Sequence, residues 1–182
     1  MAKQDLLAFL KDRVKGGLKY HHEFRITFAD CPNACSQPQI KDIGIIGAVE
    51  PELTDLECIQ CDACIEVCPD SCIAYDPESN QPHLDSDKCM LCGKCITACG
   101  TGTIAEKQRG YRLQLGGKLG RHPRLARELP GMYTAKEVLE IVEYCINFYK
   151  QNSINGERFA EIFKTSDVDA LVNRLRSHHI DQ

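Results

Sequence analysis

Eight of the twelve cysteines in this 182-residue chain fall into two copies of one spacing, C-x2-C-x2-C-x3-C: Cys58, Cys61, Cys64 and Cys68, then Cys89, Cys92, Cys95 and Cys99. That spacing predicts two cubane [4Fe-4S] clusters, because in such a run the first three thiolates wrap one cluster and the fourth crosses to the other. The expected ligand sets are Cys58, Cys61, Cys64 and Cys99 for one cluster, and Cys89, Cys92, Cys95 and Cys68 for the second. Neither loop closes without its partner, so the segment is expected to hold two one-electron centres at a fixed separation. A zinc site would use pairs of C-x2-C roughly 12 to 20 residues apart and would leave two cysteines of each run without a role. A disulfide framework needs an oxidising compartment. The N-terminus MAKQDLLAFLKDR is charged throughout and has no apolar signal core. With no run of about 18 apolar residues, no membrane insertion is expected, and the chain reads as cytoplasmic.

The two runs form an internal repeat: shifting residues 58–73 by 31 positions superposes all four cysteines and places Ile65 on Ile96 and Ile73 on Ile104. Each unit reads as a loop and a short helix with too few apolar residues to bury a core of its own, so the clusters are expected to serve as the core and iron removal to unfold it. Between the units, the turn-rich residues Asp76 to Pro82 predict the connection of a hairpin. Over residues 51–108 the chain resembles the bacterial-type two-[4Fe-4S] ferredoxins. Two departures stand out. Pro69 follows the fourth cysteine of the first run but Gly100 follows that of the second, which predicts a looser corner there. Cys72 stands where the other repeat has Thr103, and it reads as a small packed residue rather than a ligand. Cys145 reads the same way, within the helical apolar run of Ile141, Val142, Ile146 and Phe148. Asp62 and Glu66 lie inside the first run and Lys94 inside the second, so local charge predicts the lower potential for the cluster of Cys58, Cys61, Cys64 and Cys99.

The flanks are different. Leu6, Leu7, Leu10 and Val14 share one face of an expected helix ending at Gly16-Gly17. Phe24, Ile26 and Phe28 alternate with polar residues as a strand does, and residues 43–49 form a second β-like run dense in glycine, where another part of the chain is expected to approach closely. Between them lie Cys31 and Cys35. Alone, a C-x3-C pair fits half a metal site, a redox pair or two packed thiols. In context, TFADCPNACSQPQIKDIGIIG at 27–47 resembles the cysteine-pair motif of the siroheme-dependent sulfite and nitrite reductases, and YRLQLGGKLGRHPRLARELPG at 111–131 resembles the segment that follows it there. The resemblance implies an α+β fold in which residues 1–50 and 109–182 form the C-terminal half of a nitrite/sulfite reductase 4Fe-4S domain, with the ferredoxin module of 51–108 inserted. It implies a third [4Fe-4S] cluster at Cys31 and Cys35, with Cys35 bridging to siroheme.

From Lys107 to Arg127 there are seven Lys or Arg and no Asp or Glu, in a chain of net charge −4. Arginine's planar fork suits carboxylates, so Lys118, Arg121, Arg124 and Arg127 are expected to hold those of siroheme. Interleaved aromatics are scarce, which argues against nucleic acid; His122 reads as a polar loop residue. The reductases complete their coupled cluster with an earlier cysteine pair, and no cysteine precedes Cys31 here. Either a second subunit or another copy of the chain completes the site, or the sequence starts late, or Cys31 and Cys35 no longer hold a cluster; a low-potential electron donor protein is expected to feed the clusters. The alternative is a non-catalytic ferredoxin-like carrier that keeps the scaffold without siroheme. The C-terminal part reads as structural. A capping box of Thr134 and Glu137 opens a long helix, Phe159 to Phe163 form a shorter one, and Ser166 caps a last helix before a frayed terminus bearing His178-His179.

Overall fold

A computed structural model describes residues 24–154 and 156–180, with side chains through Leu175. The helix expected around Leu6 to Val14 lies outside the described residues. The chain divides into two compact units: the first comprises residues 1–29, 34–46 and 111–182, the second residues 30–33 and 47–110. Helices and sheets are segregated as in the α+β class.

In the first unit, strand β1 (Ile26–Ala29) pairs in parallel with the start of β2 (Ile43–Leu53), Ile26 opposite Ile43 and Ala29 opposite Ile46. A single 3-10 turn (Pro38–Ile40) makes the crossover short. The sheet order is β1-β2-β5-β6, where β5 is Ile104–Leu115 and β6 is Arg127–Glu128. The glycines of β2 have the predicted cause. A side chain at Gly44 would sit 2.6 Å from Pro38, and one at Gly47 would run into the Asp30 carbonyl. In chain order the helices begin with α1 (Ala63–Val67) and α2 (Lys94–Ala98) of the second unit, and the long helix of the first unit is α3 (Ala135–Asn152). Ile43, Ile45, Leu113 and Leu115 bury their side chains against Val138, Ile141, Val142 and Cys145 of α3. Burial drives the Cys145 thiol far above its ordinary value, as befits a packed apolar side chain.

α3 opens on the expected capping box: Thr134 Oγ1 accepts from the Glu137 amide at 3.4 Å, and the Glu137 carboxylate accepts from the Thr134 amide at 2.6 Å. Phe159 of α4 (Phe159–Ile162) stacks on Phe163 at 4.5 Å, and Phe148 meets Phe163 edge-on at 5.1 Å. The last helix, α5 (Thr165–Ile180), begins one residue before the expected cap at Ser166, because the Asp167 carboxylate accepts from the Lys164 amide at 2.7 Å. Its backbone stays helical through His178-His179, where a frayed end was expected.

The second unit holds α1 and α2 together with β3 (Ile73–Asp76) and β4 (Gln81–Leu84). β3 and β4 form the predicted antiparallel hairpin, Asp76 opposite Gln81. Asp76 shapes its turn by accepting from Ser79 Oγ at 2.7 Å and the Glu78 amide at 3.0 Å. The core here is small: Cys72, Ile73, Cys95 and Ile104 are buried, fringed by Ile65, Ile96, Leu84 and four further cysteines.

Candidate iron–sulfur centres

The 31-residue repeat extends to the backbone. α1 and α2 are each five residues long, and adding 31 to the bounds of the first gives those of the second. Left-handed residues recur with the same period: Gln60 and Leu91, Asp62 and Gly93, Ser71 and Gly102. The reason lies at the sulfurs. A left-handed residue between two cysteines turns its amide back toward the preceding thiol, and the Gln60 amide lies 3.4 Å from Cys58 Sγ just as the Leu91 amide lies 3.4 Å from Cys89 Sγ. Gly93 also faces Val49, where an added Cβ would lie only 3.0 Å from Val49 Cβ. Cys68 and Cys99, which precede the two corners, have the same φ of −77°.

Cys58, Cys61, Cys64 and Cys99 line one cavity together with Ile65, Tyr75, Pro82, Thr101 and Ile104. Cys99 comes to it from the end of α2, well separated in sequence from the other three. In the other direction, Cys68 at the end of α1 lies close enough to Cys89 to raise its thiol, after burial and alongside Cys92. Burial pushes the Cys95 thiol up to about 11, with Cys89 and Cys92 adding to it. Burial also raises Cys64, and Cys99 and Cys58 push it the same way. The chain thus brings each fourth cysteine to the opposite run. None of the twelve cysteines is disulfide-bonded.

Among the described residues, no three His, Cys, Asp or Glu side chains converge to hold a single metal ion. A tetrahedral zinc draws its sulfurs to within about 2.3 Å of one point, whereas a cubane takes one thiolate at each of four separated irons. Thiols spread round a cavity fit the second requirement. Cys72, by contrast, is buried, and burial and the neighbouring Cys68 drive its thiol up to about 11. It stays protonated, as a packed residue would.

Cys31 and Cys35 are both exposed on the loop after β1. That loop is held by Ser36 Oγ donating to the Phe28 carbonyl at 2.9 Å. Of the basic residues, Lys118 is paired with Glu161 at 3.0 Å, and the Arg124 guanidinium donates to the carbonyls of Gly116 and Ala160, closing the 118–124 hairpin onto α4. Arg112 pairs with Glu128 at 2.6 Å, and Arg127 lies 3.9 Å from Asp169 with its head exposed. Arg121 is exposed near the hairpin tip beside His122. Sequence reasoning missed Thr101 and Thr103, whose hydroxyls lie 2.8 Å apart beside Cys99. Their signal was the repeat itself, which sets Thr101 opposite Asp70.

The family profile of the nitrite and sulphite reductase 4Fe-4S domain matches residues 11–180. The chain is an iron–sulfur domain of oxidoreductase type. It belongs to the nitrite and sulphite reductase 4Fe-4S domain family. It is 34% identical over 154 residues to the coenzyme F420-dependent sulfite reductase of Methanocaldococcus jannaschii, covering 85% of this chain and 23% of that protein. It is 37% identical over 49 residues to one of the subunits of the anaerobic sulfite reductase of Salmonella typhimurium, covering 27% of this chain and 14% of the relative. The chain therefore spans under a quarter of the length of these relatives. The crystal structure of dissimilatory sulfite reductase I shares the fold with a TM-score of 0.55 at 20% identity, over 82% of this chain and 41% of that one. Among the described residues no helix is long and apolar enough to cross a membrane.

Proposed function

We propose that the second unit carries two [4Fe-4S] clusters and relays single electrons toward a sulfite- or nitrite-reducing siroheme site of the same assembly. The observation that carries this reading is the meeting of Cys99 with Cys58, Cys61 and Cys64 around one cavity. When bound, each cluster supplies a centre that gains and loses one electron with little change of shape. The chain's own residues fix the separation of the two sites through α1 and α2. Ile65, Ile73, Ile96 and Ile104 keep water from the sulfurs.

Cys31 and Cys35 would give two thiolates to a third cluster, with Cys35 as the bridge to siroheme. Its other two thiolates would come from outside these residues, since Cys72 and Cys145 are committed to cores. One relative is named as a subunit, which supports a multi-chain assembly. Siroheme's carboxylates fall to Arg121 and Arg127, whose heads are exposed, rather than to Lys118 and Arg124. The electrons would come from a low-potential donor protein. The exposure of Cys31 and Cys35 in this chain also supports a second reading, in which the chain is a carrier without siroheme chemistry.

Anaerobic reconstitution tests the proposal. The chain alone should take up about eight irons and eight sulfides and show a broad brown shoulder without siroheme bands. Zinc, or only traces of iron, in that material would end it. Siroheme bands that appear with a partner protein and vanish on Cys35→Ser, with the eight irons retained, select the reductase reading over the carrier.

A further inference from the structure

The two cluster sites are related by a repeat, yet the atoms facing their crossing cysteines differ. Cys68 Sγ faces the Cys72 amide at 3.3 Å, and the Cys72 thiol beside it is a weak donor. Cys99 Sγ faces the Ile104 amide at 3.3 Å and the Thr101 hydroxyl at 3.5 Å. Thr101 Oγ1 lies 2.8 Å from Thr103 Oγ1, and Thr103 Oγ1 lies 3.1 Å from the Glu57 carbonyl.

Each hydroxyl has one proton to give. With Cys99 as a thiol, the chain of donors runs outward, from sulfur to Thr101 to Thr103 to the Glu57 carbonyl. A sulfur bound to iron has no proton, so Thr101 must then donate to Cys99, and where Thr103 turns its proton from the Glu57 carbonyl to Thr101 the two hydroxyls line up toward the sulfur. Donors arranged in series polarise one another and strengthen the last bond. The loop cannot drift away from this arrangement, because Thr54 Oγ1 donates to the Gly102 carbonyl at 2.9 Å and the Thr54 amide to the Thr103 carbonyl at 2.9 Å.

At the position equivalent to Thr101 the first repeat has Asp70, a carboxylate with no proton to donate. It is exposed two residues after Cys68, a member of the second ligand set. Lys88, nearby, is engaged by Asp85 at 2.7 Å. Asp62, from which together with Glu66 the opposite order was expected, lines the cavity of the first ligand set, so its charge opposes the relay there. Hydrogen bonds to cluster sulfurs favour the reduced form and added negative charge disfavours it.

We propose that the Thr103–Thr101 hydroxyl relay to Cys99 and the Asp70 carboxylate beside Cys68 make the site of Cys58, Cys61, Cys64 and Cys99 the higher-potential of the two. This inference rests on the two-cluster reading above. A single electron from a low-potential donor then settles first on that site, and the other centre is reduced only by the second electron. Thr101 and Asp70 act here as positioning residues that touch no reacting atom.

The test is an EPR-monitored redox titration of the reconstituted full chain, with iron counted in every sample. The native protein should give two separated midpoints. Thr101→Val should move the higher one down and narrow the gap, and Thr101→Ser, which keeps the hydroxyl, should restore it. Asp70→Asn should narrow the gap from below by raising the lower midpoint. A gap that widens in either variant reverses the order and overturns the proposal, as do coincident midpoints in the native protein or unchanged midpoints in Asp70→Asn. If Thr101→Val fails to hold its iron, Asp70→Asn decides alone. A native sample without [4Fe-4S] signals would instead overturn the two-cluster reading.

Discussion

At the residue scale, the chain separates charges and thiols that are placed to react from those that are placed to pack. The Asp42 carboxyl is almost wholly buried, and burial raises it above its ordinary 3.8 although the Arg25 amide donates to it at 2.9 Å. A carboxyl that holds its proton more tightly when folded contributes stability below its unfolded value and loses it as pH rises through the raised one. Asp42→Asn keeps an acceptor for Arg25 and has no charge to bury. The variant should therefore melt higher than the native protein at pH 8, and the difference should shrink as pH falls through the raised value toward 3.8; a difference independent of pH would show that desolvation of Asp42 is not the cause. The cysteines of the two runs were legible because the identity and spacing of a ligand are one-dimensional facts. Thr101 and Thr103 were not, since a relay of hydroxyls depends on which carbonyl the loop of Leu53 to Cys58 brings beside them.

At the scale of elements, the capping box at Thr134 and the hairpin of residues 73–84 were legible for local reasons. Both depend on side chains bonding to backbone within a few residues. Thr134→Ala should cost about 1 kcal/mol, read as a lower denaturation midpoint for the first unit at unchanged iron content. An equal loss in Thr134→Ser would point to packing of the methyl group rather than the cap. The start of α5 was misplaced by two residues, at Thr165 where a cap at Ser166 implies Asp167, because the Asp167 carboxylate reaches back to the Lys164 amide, which only geometry shows. The five-residue helices are a different case. Such helices are far too short to persist alone, and the signal for them in the sequence is the repeat of cysteines that bounds both.

For the whole molecule, the two units differ in what sustains them. The first buries the side chains of two strands and three helices in one apolar cluster with its own aromatic group. The apolar cluster of the second has only four buried residues, two of them cysteines. Anaerobic chelation of iron should therefore abolish amide protection across residues 47–110 while α3 keeps its own, a contrast that hydrogen exchange resolves by segment. Uniform loss of protection would show that the first unit depends on the second. The unit boundaries were only approximately legible, because β2 and β5 run from one unit into the other without a break in pattern.

The exchange of cysteines between the ends of α1 and α2 has a cost in air. If each proposed cubane takes one vertex from the opposite loop, oxygen attack that dissolves one would free the loop that carries its neighbour's fourth thiolate. Damage at one site would then loosen the other.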